Sequence, residues 1–155
     1  MSGEVVVIGM GNHYRRDDGV GLAVAAVLAA EAGPGVRIVT DVGDPCRVLD
    51  AWDGAPLAVV VDAAIVAPSV PGRIHRCTVD RLRSTPTTSS HGMDLATVLA
   101  LGEVLDRVPG TLVLFAIEVA DIRDGVGLSP EVAAVVPQVA TAVLEEVKTQ
   151  GRQGR

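Results

Sequence analysis

A chain of 155 residues, 48% of them hydrophobic, is long enough to bury one substantial core, and with only 2% aromatic residues that core must be aliphatic. The net charge of −6 argues against the basic face that a nucleic-acid binder presents. No apolar run reaches the roughly 18 residues of a membrane span, and the first ten residues carry Glu4 without a basic stretch. A soluble, cytoplasmic protein with no signal peptide and no membrane partner is expected.

Val5–Gly9 is a continuous apolar run closed by glycine, the pattern of a buried strand. Residues 10–17 are polar and read as a loop. From Asp17 the spacing of DDGVGLAVAAVLAAEAG predicts a helix, with aspartates at its start and Gly33 past its end. Val36–Thr40 is a second strand. Asp44-Pro45 has the form of a helix cap followed by proline at the first helical position, and that helix runs to about Trp52. Leu57–Val61 is the most apolar strand and ends at Asp62. Pro68 and Pro71-Gly72 mark a turn before Arg73–Val79, which reads as an edge strand. Arg83–Ser90, rich in Ser, Thr and Pro, reads as a loop, Asp94–Val104 as a helix and Thr111–Val119 as a buried strand. Ser129-Pro130-Glu131 opens a last helix that ends near Lys148.

This alternation predicts a three-layer α/β/α sandwich around a mostly parallel twisted sheet of about five strands. One domain is expected over residues 1–150, with a frayed tail at 151–155. The cysteines, Cys46 and Cys77, form no CxxC pair and suggest no zinc site; both are expected as buried thiols in a reducing compartment.

Ligands of open α/β sheets bind beyond the carboxyl ends of the strands, and three polar features fall there. The first is the loop from Gly9 to Gly21. A dinucleotide fingerprint would put a third glycine at position 14, which is Tyr14, and the pair Asp17-Asp18 would repel a phosphate at the helix start. Of that pair, Asp17 is expected to cap the helix, leaving Asp18 free for another role. The second feature is Asp62, a carboxylate closing a Val-Val-Val run, where burial of its charge is costly unless it is paired or bound to metal; the plain alternative is a cap on the following turn. The third is His91, in a Ser/Thr loop where a surface histidine is ordinary, although imidazole is also a common neutral metal ligand. Two carboxylates and a histidine make a plausible divalent-metal site if they converge.

These residues fall within segments by which the sequence resembles the hydrogenase maturation protease family. The G-x-G-N…D-[DE]-x-x-G signature is matched by Gly9, Gly11, Asn12, Asp17, Asp18 and Gly21. The strand-ending Asp with its small pair is matched by Asp62-Ala63-Ala64. The S-x-H-x-x-x-L segment is matched by Ser89 to Leu95, and the late G-L-[ST]-P-x-V segment by Gly127 to Val132. The resemblance implies a monomeric metal-dependent endopeptidase. It would remove a short C-terminal extension from the precursor of a nickel–iron hydrogenase large subunit. It further implies that Asp18, Asp62 and His91 are both the catalytic and the metal-contacting residues, that the metal is nickel brought by the substrate, and that other divalent ions can occupy the site. A non-catalytic nickel-binding or chaperone-like maturation factor is the alternative. The chain departs from the pattern at Asp18, where Glu is frequent, and in the His13-Tyr14-Arg15-Arg16 stretch. There His13 could add a polar contact, or Arg15 and Arg16 could meet an acidic tail, solvent exposure being the ordinary reading. The D-G-G-T-like segment is replaced by Asp41-Val42-Gly43-Asp44.

Overall fold

The Val-rich runs pair into one five-stranded sheet, in the order β2-β1-β3-β5-β4. A computed structural model of the chain describes residues 4–40, 42–84 and 95–153. The strands are β1 (Val5–Gly9), β2 (Val36–Val39), β3 (Ala58–Ala64), β4 (Ile74–Thr78) and β5 (Leu112–Glu118). Strands β1, β2, β3 and β5 run parallel, and β4 lies antiparallel on the β5 edge. The helices are α1 (Val20–Glu31), α2 (Pro45–Trp52), α3 (Val79–Ser84), α4 (Leu95–Leu105) and α5 (Pro130–Gln153).

The helices cover the sheet on both faces, as parallel strands buried on either side require. On one face α2, α3 and α4 pack Val48, Leu49, Leu82, Val98 and Leu99 against Val6, Ile8, Val60 and Leu114. On the other, α1 and α5 pack Val24, Leu28, Val139 and Val143 against Val7, Val59, Val61 and Phe115. Fully burying one such aliphatic side chain contributes about 1.5–3 kcal/mol, so two layers of them suffice without aromatic bulk. Trp52, the one indole, is fully buried, and its Nε1 donates to the Arg107 carbonyl at 2.9 Å.

The predicted strands and their order along the chain are present. Asp44 caps α2, its carboxylate accepting from the Arg47 N–H at 3.2 Å, with Pro45 in the first turn. Several expectations are corrected. A 3-10 turn over Arg16–Gly19 precedes α1, so the helix begins three residues later than the spacing suggests. Strand β3 continues through Asp62 to Ala64, because β5 goes on pairing with it as far as Glu118. Helix α3 takes Val79 and reaches into the stretch read as a loop, burying Leu82. Helix α5 continues past Lys148 to Gln153. Cys77 is buried but Cys46 is exposed, since it lies on the outer side of the first turn of α2. Among the described residues no helix is long and apolar enough to cross a membrane.

Candidate active site

Strand β1 is paired with β2 on one side and β3 on the other, so the strand order reverses there. Such a switch point opens a crevice beyond the carboxyl ends of the strands. The loop after β1 closes over it through contacts that tolerate no side chain. The Met10 N–H donates to the Val61 carbonyl at 2.9 Å, extending the β1–β3 ladder to the residue before Asp62. A methyl group on Gly21 would stand 2.3 Å from the Met10 carbonyl oxygen and 2.5 Å from that of Val61. Glycine at 21 therefore lets the start of α1 settle onto the ends of both strands.

The acidic pair then divides. Arg16 adopts a left-handed φ of 49°, and its N–H is tied to the Gly125 carbonyl at 3.1 Å. Asp17 and Asp18 follow, both with no exposed surface. The Asp17 carboxylate accepts from the N–H groups of Ala120 (2.9 Å), Asp121 (3.0 Å) and Ser129 (2.6 Å), and from the Ser129 hydroxyl (2.8 Å). It caps neither the 3-10 turn nor α1, neither of which has a side-chain cap bond. The expected capping role is thus wrong. Asp17 is a clamp that binds the segment between β5 and α5, and the Gly127-Leu128-Ser129-Pro130 motif supplies two of its four donors. The Ser129 hydroxyl is spent on Asp17, while Pro130 begins α5 as the sequence suggests.

Asp18 turns the other way. Its carboxylate accepts from the Asn12 N–H at 3.1 Å, and that same N–H lies 3.2 Å from the Asp18 carbonyl. Asn12 is two residues beyond Met10, and Met10 pairs beside Asp62. The turn carrying Asp18 is in contact with β3. Asp62 is 8% exposed and accepts from the Ala63 N–H at 2.8 Å. The two carboxylates are therefore brought to the same carboxyl edge, on the loop of β1 and the end of β3. His91 and its Ser89-Ser90 neighbours lie outside the described residues. The first described residue after them, Leu95, packs on the sheet face that carries Asp62. Among the described residues no group of three His, Cys, Asp or Glu side chains is disposed to hold a metal ion.

The flanking stretch divides, with His13 and Tyr14 exposed and Arg15 and Arg16 half-buried. His13 and Tyr14 are exposed and stack edge to face at 5.4 Å. Arg16 lies 3.8 Å from Asp121, which also binds Arg123 at 2.9 Å. The Arg123 guanidinium and N–H, with Arg16 behind them, hold the Asp121 carboxyl well below the usual carboxylate range.

A second polar cluster, absent from the sequence reading, lies at the same edge. Glu118, at the end of β5, is 3% exposed. It accepts from the Val70 N–H at 2.8 Å, pairs with His75 Nε2 at 2.6 Å and lies 3.7 Å from Arg73 Nε. The Val70 N–H, then the His75 ring and, less, the Arg73 charge hold its carboxyl below the ordinary glutamate range against the opposing effect of burial. The signal that singled out Asp62, an acidic residue ending an apolar strand, applies equally to Glu118. A cavity of about 370 Å³ lined by Arg76, Thr78, Gly110 and Glu146 opens at the opposite, amino end of the strands, away from both clusters.

Comparison with known proteins bears on the family and the fold. Residues 44–146 match the family model described as hydrogenase maturation protease. The chain belongs to that family. The structure is similar to the hydrogenase maturating endopeptidase HybD of Escherichia coli, with TM-score 0.85 and 21% identity over 96% of this chain and 94% of that one. It is similar to the [NiFe] hydrogenase maturation protease HybD of Thermococcus kodakarensis, with TM-score 0.73 and 26% identity over 93% and 98%. It is also similar to the maturation protease HycI of that organism, with TM-score 0.70 and 22% identity over 94% and 92%. No curated protein matches the chain in sequence comparison.

Proposed function

We propose that this hydrogenase maturation protease cuts a short C-terminal extension from the nickel-loaded precursor of a nickel–iron hydrogenase large subunit, with Asp18, Asp62 and His91 gathered around the substrate's nickel. The observation that carries this reading is the buried Asp62 at the switch-point crevice, beside the loop that presents Asp18. Carboxylates gathered at that edge attract a divalent cation delivered by the substrate. The nickel serves as recognition element: a precursor without it brings the two carboxylates no counter-charge. Beside a divalent ion a scissile carbonyl is polarised and a water is acidified. A carboxylate takes the proton as the water adds to the carbonyl carbon, and the proton is returned to the amine as the C–N bond breaks.

The test is mass spectrometry of the nickel-loaded precursor before and after incubation with wild type, Asp62→Ala and Asp18→Asn. Wild type is expected to shorten the precursor at its C-terminus, and both variants to leave it intact while keeping wild-type circular dichroism. Full trimming by folded Asp62→Ala sinks the assignment. An unchanged mass with wild type, accompanied by a stable complex, identifies a non-catalytic nickel-binding factor instead.

A further inference from the structure

The register of the sheet places a histidine across from Asp62. Asp62 on β3 is aligned with Ala116 on β5, and Ala116 with His75 on β4. Side chains alternate along strands, and Val60, Leu114 and Cys77, each two residues before or after these positions, all face the layer of α2 and α4. Asp62, Ala116 and His75 therefore form one row on that face, at the edge where the apolar core gives way to polar side chains. Between the two polar groups stands only a methyl, and Ala116 is partly exposed. Two strand spacings separate the backbones of Asp62 and His75 by about 10 Å, a distance that about three residues of extended peptide cover.

The histidine is oriented. Glu118 lies 2.6 Å from Nε2, and in the neutral tautomer that donates to this carboxylate the ring carries its lone pair on Nδ1. No described residue bonds Nδ1, and the His75 side chain is 38% exposed. Glu118 is already held by the Val70 N–H and faces Arg73, so it does not depend on the imidazole to satisfy its charge. The cluster thus presents the Nδ1 edge of a ring braced from behind by Glu118, beside the crevice.

We propose that His75 is a substrate-positioning residue, whose Nδ1 accepts a hydrogen bond from a backbone N–H of the precursor tail about three residues from the bond cut near Asp62. The proposal rests on the protease reading above and deepens it. It makes the strip from Asp62 over Ala116 to His75 the track for an extended peptide, with Glu118 as the residue that holds the ring.

Two substitutions separate this role from mere bracing. His75→Gln keeps an N–H donor near the Nε2 position for Glu118 and has no acceptor at Nδ1. His75→Asn places an oxygen acceptor near Nδ1 and gives up the bond to Glu118. Steady-state trimming of nickel-loaded precursor is expected to show KM raised about fivefold for the Gln variant, the worth of one hydrogen bond, with kcat within about twofold. The Asn variant is expected to keep KM nearer wild type, although its Tm is lower. A KM for the Gln variant equal to wild type, or no higher than that of the Asn variant, overturns the proposal. Wild-type enzyme that fails to trim at all overturns the protease reading and takes this one with it, so the two failures are told apart.

Discussion

Replacing Asp17 by Asn changes one atom and tests which member of the acidic pair is structural. The native carboxylate accepts one bond on Oδ1, from the Ser129 N–H, and three on Oδ2, from the Ala120 and Asp121 N–H groups and the Ser129 hydroxyl. Asparagine can keep Oδ1 toward the three donors, and its NH₂ then faces the Ser129 N–H. One buried donor–donor conflict costs about 1–3 kcal/mol, and the remaining bonds lose the charge that strengthens them. A net loss of about 3 kcal/mol is expected, a large share of the ~5–15 kcal/mol that holds a typical domain together. Urea unfolding followed by circular dichroism reads it directly. With a slope of about 2 kcal/mol/M, the midpoint should fall by about 1.5 M while the slope stays the same. An unchanged midpoint refutes the clamp. An unchanged midpoint with trimming abolished would go further, because it would move the chemistry from Asp18 to Asp17.

Two more predictions follow from the same edge. Gly21→Ala drives a methyl against two carbonyl oxygens of the β1 loop and β3; a cost of about 3 kcal/mol, or a Tm lower by about 10 °C, is expected by calorimetry, and a Tm within about 2 °C of wild type counts against the close approach. Glu118 has a folded-state pKa below its ordinary value of 4.5, so its stabilisation is present above that pH and is lost as pH falls through the depressed folded value. The stability gap between wild type and Glu118→Gln, measured by urea midpoints, should therefore narrow as the pH is taken below 4.5; a constant gap refutes the linkage.

The sheet was legible because its signal is local. Runs such as Ala58–Val61 and Leu112–Ile117 are apolar on both faces, and only strands buried between two helix layers need that. Asp62 was legible by contrast, as a charge ending such a run. Helix α3 was not, because its six residues carry three charged side chains and its one fully buried apolar residue, Leu82, has no periodic companion within so short a segment. His91 stood out mostly through the family resemblance, and it lies outside the described residues.

Asp17 and His75 show where local reasoning stops. An aspartate before a helix invites a capping argument, since capping is settled by the next three residues. Its actual donors are 103 to 112 positions away along the chain. The sequence did hold the trace of that contact, in two motifs far apart, Asp17-Asp18-Gly19 and Gly127-Leu128-Ser129-Pro130, each with a sufficient local explanation of its own. His75 sits in an edge strand whose polar residues pass as solvent-facing, and Glu118 closes a run whose apolar pattern hides its partner. What joins them is the antiparallel pairing of β4 with β5, a register fixed only when the whole sheet forms. Asp17 fixes the turn from which Asp18 projects, and Glu118 fixes the ring that His75 presents. The edge is built in pairs, one buried carboxylate held by backbone donors with a second polar group beside it.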